Sequence, residues 1–192
     1  MQRLDDLDAR VRLEAVGVLG WLKRTEALQG LAWVAQRDVG RAAVGALGCA
    51  TDESVLPALL AALADGAWQV RKEAATTLEK RRLAGAGPSL IAALDDGYWQ
   101  VRQRVTRALG LLRPAAAVPA VSNLLTHAIV NLRKEAAIAL GEIRDRSALP
   151  GLLLAMADAD PEVLKVARLA ISQIEAGTSI ACSIESERPS WR

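Results

Sequence analysis

Apolar residues recur at intervals of 31 positions along most of the chain. One register holds Val39, Val70, Val101, Leu132 and Val163, and a second, eight residues later, holds Leu47, Leu78, Leu109, Leu140 and Ile171. Prolines keep the same interval, at Pro57, Pro88, Pro119 and Pro150. A fixed period of this length indicates an array in which one small structural unit is copied along the chain.

Each period contains two amphipathic segments. The first, here called the valine helix, places apolar residues at i, i+4 and i+8, as in Val70, Ala74 and Leu78, which forms one stripe on a helix of 3.6 residues per turn. The second, the proline helix, starts with a proline, whose missing N–H costs nothing in a first turn. No segment alternates with period two, so the sequence predicts an all-helical protein.

The same pattern predicts where the helix pairs end. We expect boundaries near Gly20, Gly48, Arg82, Arg113 and Arg144. Glycine often follows the last residue of a helix, and on this ground Gly110 and Gly141 are expected to end their valine helices, as Gly20 and Gly48 end theirs. Because a single pair cannot cover its own apolar stripe, neighbouring pairs must stack.

The repeated block has the form Asp-x-x-x-x-Val-Arg-x-x-Ala-Ala-x-x-Leu-Gly, with copies at Asp65 to Arg71 and Asp96 to Gly110. It resembles the HEAT-like repeat, in the short form found in bilin-lyase-like proteins and artificial helical-repeat scaffolds. The resemblance covers residues 1–176 and implies an all-α, right-handed α-solenoid of about six HEAT-like helix pairs. Residues 177–192 lose helical periodicity, gain serine and are predicted to form a flexible tail.

The resemblance also implies that the repeated aspartate and arginine form a structural ladder linking neighbouring units. On spacing, Asp6/Arg12, Asp65/Arg71 and Asp96/Arg102 are expected members. Other units depart from the pattern. Val34 and Gly40 occupy the ladder positions of the second unit, His127 replaces the aspartate of the fifth, and Leu164 replaces the arginine of the sixth.

The net charge, the cysteines and the lengths of the apolar runs each disfavour a class of function. The formal net charge of +2 on 192 residues disfavours a general nucleic-acid binder, which usually carries a strong basic excess. Cys49 and Cys182 match no metal or redox spacing, as expected of a reduced, cytoplasmic protein. No apolar run approaches the ~20 residues that span a bilayer, and the N-terminus has no signal-peptide core, so no membrane association is expected.

Catalytic motifs are missing from the sequence: we find no phosphate loop, nucleophile elbow or clustered Cys and His. The single histidine, His127, falls at a turn between helices, where we expect it to cap rather than catalyse. The acid pairs Asp5-Asp6 and Asp95-Asp96 fall at helix starts, which carboxylates also cap. The sequence therefore predicts no enzyme activity, no metal site and no cofactor.

Aromatic residues indicate where a partner binds. The chain has five tryptophans, one tyrosine and no phenylalanine, and Trp68 and Trp99 lie two residues before the valine of adjacent repeats. The resemblance implies that valine helices line a concave face and that positions flanking Val-Arg make contacts. The resulting contact strip consists of Trp68, Gln69, Lys72, Thr76, Trp99, Gln100, Gln103, Arg107, Asn131, Lys134 and Ile138. The alternative is that each tryptophan packs as a hydrophobic staple over the preceding turn.

These observations favour a protein-binding adaptor, inhibitor or assembly factor of bacterial type, with a protein or peptide held on the concave face. Two alternatives remain open, a bilin-lyase relative that cradles a tetrapyrrole and a HEAT-like nucleic-acid binder. The first unit lacks most of its proline helix, since Leu4 aligns with Leu63 and Leu94. We expect its exposed N-terminal edge to self-associate weakly.

Overall fold

A computed structural model of the chain describes residue 8 and the ranges 14–16, 40–48 and 55–186, with side chains in the last range as far as residue 176. Predictions for the N-terminal edge, for the Asp6/Arg12 rung and for the boundary at Gly20 lie outside these residues. The chain divides into two compact units, an N-terminal unit of residues 1–108 and a C-terminal unit of residues 109–192.

Throughout the described ranges the regular structure is helical and no strand occurs. The valine helices are α1 (Gly40–Leu47), α3 (Trp68–Arg81), α5 (Trp99–Leu112), α7 (Val130–Ile143) and α9 (Pro161–Ser186). The proline helices are α2 (Leu56–Leu63), α4 (Gly87–Ala92), α6 (Val118–Asn123) and α8 (Leu149–Ala155). The expected alternation of two helix types is confirmed, and the division between the units falls within α5.

Each of the four prolines that recur at the 31-residue interval lies in the first turn of its helix, as predicted. A short 3-10 turn leads into three of these helices, at Ala84–Ala86, Ala115–Ala117 and Arg146–Ala148. Proline is the residue that the starts of all four helices share, and it suits the first turn because it fixes φ and needs no hydrogen-bond acceptor there.

The two apolar registers form the core of each unit. In the N-terminal unit Leu47, Leu78 and Val101 are fully buried, and in the C-terminal unit Leu132 and Leu140 are. Val163 is also fully buried, whereas Ile171 is only half-buried and Ile174, three residues later, is buried. Because the buried positions are mostly Leu, Val and Ala, the helices pack closely and their polar faces remain at the surface.

Glycine does not end the valine helices of the C-terminal unit, so that prediction was wrong. Helix α5 continues past Gly110 to Leu112, and α7 continues past Gly141 to Ile143. A Cβ added at Gly110 would lie 2.9 Å from Cα of Ala139, and one at Gly141 would lie 2.9 Å from Cα of Ala170. The two glycines are needed because neighbouring valine helices approach each other at these points.

Arginine ends three valine helices instead. Arg82, Arg113 and Arg144 adopt positive φ values of 49°, 56° and 60°, and none of the described glycines does. The backbone N–H of Arg113 donates to the carbonyl of Leu109 at 2.9 Å, and that of Arg144 to the carbonyl of Leu140 at 3.1 Å. The predicted boundaries at the three arginines are confirmed, with a left-handed residue closing each helix.

Helix α9 extends beyond the predicted end of the array at residue 176 and reaches Ser186. The loss of helical periodicity after residue 176 therefore does not mark the end of the helix. The flexibility of the remaining tail stays a prediction.

Candidate partner-binding site

The N-terminal unit contains one complete rung of the predicted ladder. Arg71, in the first turn of α3, donates from Nε to Oδ2 of Asp96 at 2.6 Å and from Nη2 to Oδ1 at 2.9 Å. Its Nη1 donates to the backbone carbonyls of Asp65 and Gly66, at 2.8 and 3.1 Å. The arginine of one repeat thus pairs with the aspartate of the next, which confirms the structural role expected of Arg71 and Asp96.

The carboxylate of this rung also positions a tyrosine. Asp96 Oδ1 accepts a hydrogen bond from the backbone N–H of Tyr98 at 2.8 Å, which fixes the turn into α5. The Arg71 side-chain hydrogen bond, together with this backbone bond, holds the pKa of Asp96 below its ordinary value of 3.8. The same pairing raises the pKa of Arg71. Both groups are charged at neutral pH, so the rung is an ion pair.

An aromatic patch, consisting of Trp68, Lys72 and Tyr98, lies on this rung. The rings of Trp68 and Tyr98 stack with their centroids 5.5 Å apart and their planes inclined by 16°. The Lys72 ammonium lies 6.0 Å from the centre of the Trp68 ring, and the Arg71 guanidinium lies 5.7 Å from that of Tyr98. Tyr98 remains 48% exposed, and Trp68 is half-buried. Large rings are therefore presented to solvent on a rigid support.

The C-terminal unit forms an equivalent rung without the rings. Arg133 Nε lies 2.7 Å from Asp158 Oδ2, and Arg133 Nη1 donates to the His127 carbonyl at 2.9 Å. The positions that correspond to Trp68 and Tyr98 are Val130 and Asp160. Since this rung forms with no aromatic stack, the Trp68–Tyr98 pair is an addition to the ladder rather than a requirement of it.

His127 caps a turn, as predicted. Its Nδ1 accepts a hydrogen bond from the backbone N–H of Ile129 at 3.0 Å. Asp65 and Asp96 accept the same bond, from Ala67 and Tyr98, in the preceding repeats. Imidazole can replace the carboxylate here because a neutral ring offers one acceptor nitrogen. The histidine also lines a surface cleft of about 450 Å³ with Arg133 and Asp158, which are paired with each other.

Apart from Trp99, the rest of the contact strip in the N-terminal unit is polar. Gln69 is exposed. Thr76 is half-buried, and its hydroxyl donates a hydrogen bond to the Lys72 carbonyl. Trp99, Gln100 and Gln103 are half-buried, and Arg107 is exposed and pairs with Glu79 at 3.1 Å. The structure brings Trp68 and Lys72 together, whereas the ring stacked on Trp68 is Tyr98 rather than Trp99. Contact of both tryptophans with one partner stays a prediction.

In the C-terminal unit the strip is exposed and partly apolar. Asn131 is exposed, and Lys134 pairs with Glu162 at 3.3 Å. Ile138 is 38% exposed, and Leu169, at the corresponding position of α9, is 57% exposed. The strip positions of both units therefore reach solvent at least in part, which suits contacts with a partner.

Tyr98 is the residue of the aromatic patch that the contact strip predicted from the sequence does not include. It precedes Trp99 and lies 30 residues after Trp68, one short of the repeat interval. The ladder itself carries the missing signal, because its pairs join the arginine of one repeat to the turn of the next. Trp68 lies three residues before Arg71 and therefore on the same side of the helix, so the turn that Arg71 reaches, which holds Asp96 and Tyr98, is also within reach of Trp68.

Metal sites need clustered ligands, and membrane spans need long apolar helices. No group of His, Cys, Asp and Glu side chains in the described ranges could hold a metal ion. None of the described helices is both long and apolar enough to cross a bilayer.

Comparison with known families identifies the repeat. A family model described as HEAT repeats matches residues 1–79, 28–97 and 87–172 of the chain, which together cover most of it. A comparison with curated protein sequences finds no match. The resemblance inferred from the Asp, Val and Arg pattern is therefore confirmed at the level of the family.

Solved structures share the fold at low sequence identity. The complex of CpcE and CpcF of phycocyanin lyase from Nostoc sp. PCC7120 gives a TM-score of 0.66 at 24% identity, covering 90% of this chain and 74% of that one. A designed armadillo repeat protein in complex with the peptide (KR)4 gives 0.65 at 22% identity, covering 90% and 97%. An engineered protein gives 0.65 at 21%, covering 92% and 95%. At these identities the likeness establishes a helical-repeat solenoid fold and no more.

Proposed function

Because the chain belongs to the HEAT-repeat family, we propose that it is a non-catalytic scaffold that binds another protein through the contact strip, with the aromatic patch as anchor. The observation that carries this proposal is the exposed stack of Trp68 on Tyr98. Stacked aromatic rings next to a cation are the side chains that most often dominate binding energy at interfaces.

The aromatic patch leaves apolar ring surface in contact with water, which is unfavourable in the unbound protein. Tyr98 exposes almost half of its surface, although the C-terminal unit forms its rung with Val130 and Asp160 at the corresponding positions. An ion pair of this kind therefore forms without the two rings. A rigid aromatic surface also loses little conformational entropy on binding, which increases the net affinity of a contact.

The fold supports the same reading. A designed armadillo repeat protein with the same architecture holds a peptide, so a stack of helical repeats can present a side-chain strip to an extended chain. The tetrapyrrole alternative rests on a likeness of fold to the phycocyanin lyase complex. Visible absorbance of a co-purified pigment would favour that alternative over protein binding.

A photo-crosslinking experiment tests the proposal on the full-length protein. A crosslinking amino acid replaces exposed Gln69 in one variant and exposed Ala92, on proline helix α4, in a matched control. We expect Gln69 to capture a discrete protein that Ala92 does not capture. Capture of the same proteins from both positions would contradict the proposal.

The contribution of the rings is measured on the partner captured in this way. Changing Trp68 and Tyr98 together to alanine should weaken binding by at least about 2 kcal/mol, the range of interface hot spots. Val130→Ala, at the position of Trp68 in the C-terminal unit, is the control and should bind normally. Circular dichroism must show unchanged helix content, and normal binding by the folded double variant would rule out the aromatic anchor.

A further inference from the structure

The cations in and beside the strip differ in their ion pairs among the described residues of the N-terminal unit. Arg71 is paired with Asp96 at 2.6 Å, and Arg107 is paired with Glu79 at 3.1 Å. In the described part of this unit no carboxylate pairs with Lys72, whose ammonium lies over the Trp68 ring. Among the three side chains of the aromatic patch, the charge without an ion pair to a described residue is therefore positive.

The rings themselves also disfavour a basic partner. One face of each ring is covered by the other ring, and each ring already has a cation of this chain within 6.0 Å of its centre. A lysine or arginine from a partner would compete with these cations and be repelled by Lys72. A carboxylate would instead pair with Lys72 beside an apolar surface, where Coulomb attraction is less screened than in water.

The apolar part of the patch defines the rest of the ligand. Almost half of Tyr98 is exposed, and Trp68 contributes the second ring. An aliphatic side chain laid on these rings would bury apolar surface, which favours association. Around them the strip offers amides and a hydroxyl, at Gln69, Gln103 and Thr76, which suit the backbone of an extended peptide.

We propose that the partner presents an acidic segment to this patch, with a carboxylate on Lys72 and an adjacent aliphatic side chain on Trp68 and Tyr98. This inference rests on the proposed protein-binding function and specifies the chemistry of the partner. It predicts the charge preference, which the general function leaves open.

Single-stranded nucleic acid is the competing ligand, because its bases stack on aromatic rings and its phosphates pair with cations. Tight phosphate binding uses several cations in a groove. In the N-terminal unit the strip provides Lys72 and Arg107, and Glu79 already neutralises the latter. Amides outnumber cations at the strip positions of this unit, so the acidic protein segment is the better match.

A peptide selection tests the inference without knowledge of the natural partner. Short random peptides displayed on phage are selected on the full-length protein and, in parallel, on Lys72→Glu, on Trp68→Ala with Tyr98→Ala, and on Val130→Ala. We expect the unaltered protein and Val130→Ala to enrich Asp or Glu next to Leu, Ile or Val. Lys72→Glu should switch the preference to Lys or Arg, and the double aromatic variant should lose the enrichment.

Binding of one enriched peptide is then quantified by fluorescence anisotropy, against the same peptide with each acid changed to its amide. We expect the acidic peptide to bind about tenfold more tightly, or 1.4 kcal/mol, with the advantage shrinking as salt rises. An enrichment of basic or neutral peptides would overturn the acidic preference and leave the scaffold function standing. Failure to enrich any peptide, or tighter binding of oligothymidylate than of the acidic peptide, would count against both.

The Lys72→Glu variant keeps the test decisive if the double aromatic variant does not fold. Lys72 is half-buried at the surface and makes no ion pair with the described residues of its unit, so its charge can be reversed without removing a rung. An unchanged peptide preference in this variant would show that the patch does not select charge, and the inference would fall.

Discussion

At the scale of single residues, the ladder depends on one carboxylate in each rung. Asp96 accepts two hydrogen bonds from Arg71 and one from the Tyr98 backbone. Asp96→Asn would remove the charge and place an amide N–H₂ against one of these donors. We expect it to lower the free energy of unfolding by about 1–3 kcal/mol, as for other charged hydrogen-bonded groups. Asp95→Asn, at the exposed neighbour, should change the free energy of unfolding very little. Urea denaturation measures both, and equal losses would contradict the assigned role of Asp96.

The same carboxylates make stability depend on pH. Hydrogen bonds from Arg71 and Arg133 lower the pKa of Asp96 and Asp158 below 3.8. The unfolded chain therefore binds more protons in acid than the folded one. The rungs therefore contribute their full stabilisation at pH values well above 3.8, the ordinary pKa of aspartate. This stabilisation is lost as the pH falls through 3.8 towards the lowered pKa values of the two aspartates. Urea unfolding across this range should show a flatter acid dependence for Asp96→Asn with Asp158→Asn than for the unaltered protein.

At the scale of helices, close approach is limited by two glycines. A Cβ at Gly110 or Gly141 would meet the backbone of the neighbouring helix at 2.9 Å, and backbone cannot swing away as a side chain can. We expect Gly141→Ala to destabilise the protein by about 1–2 kcal/mol, since overpacking exceeds the gain in helix propensity. Gly97→Ala, which has open space around its Cβ, is the control and should be neutral or slightly stabilising. Thermal unfolding compares them, and a stabilised Gly141→Ala would refute the packing role.

The starts of the helices could be predicted from the sequence more reliably than their ends. Helix starts and buried positions follow from local rules, because proline sets the first turn and apolar spacing sets the stripe. Helix ends depend on packing, which is why Gly110 serves a helix contact and Arg113 takes the left-handed position instead. The strip was predicted from its register, but Tyr98 was not, because its stacking on Trp68 arises only when two repeats meet.

At the scale of the whole molecule, stability should be distributed along the chain rather than held in one core. Each repeat of a HEAT array contacts its neighbours, so the total is approximately a sum of repeat and interface contributions. The fully buried leucines Leu59 and Leu152 occupy the same position of their repeats, in α2 and α8 respectively. Changing either one to alanine removes about 2–5 kcal/mol of packing at that place.

Hydrogen exchange measured by mass spectrometry shows where that loss is felt. Leu152→Ala should speed exchange most in α8 and α9, whereas Leu59→Ala should speed it most in α2 and α3. Local opening costs less than global unfolding in such arrays, and the most weakened repeat opens first. If each variant instead exchanged faster by the same factor in every helix, the chain would unfold as a single cooperative unit. The additive account of its stability would then be wrong.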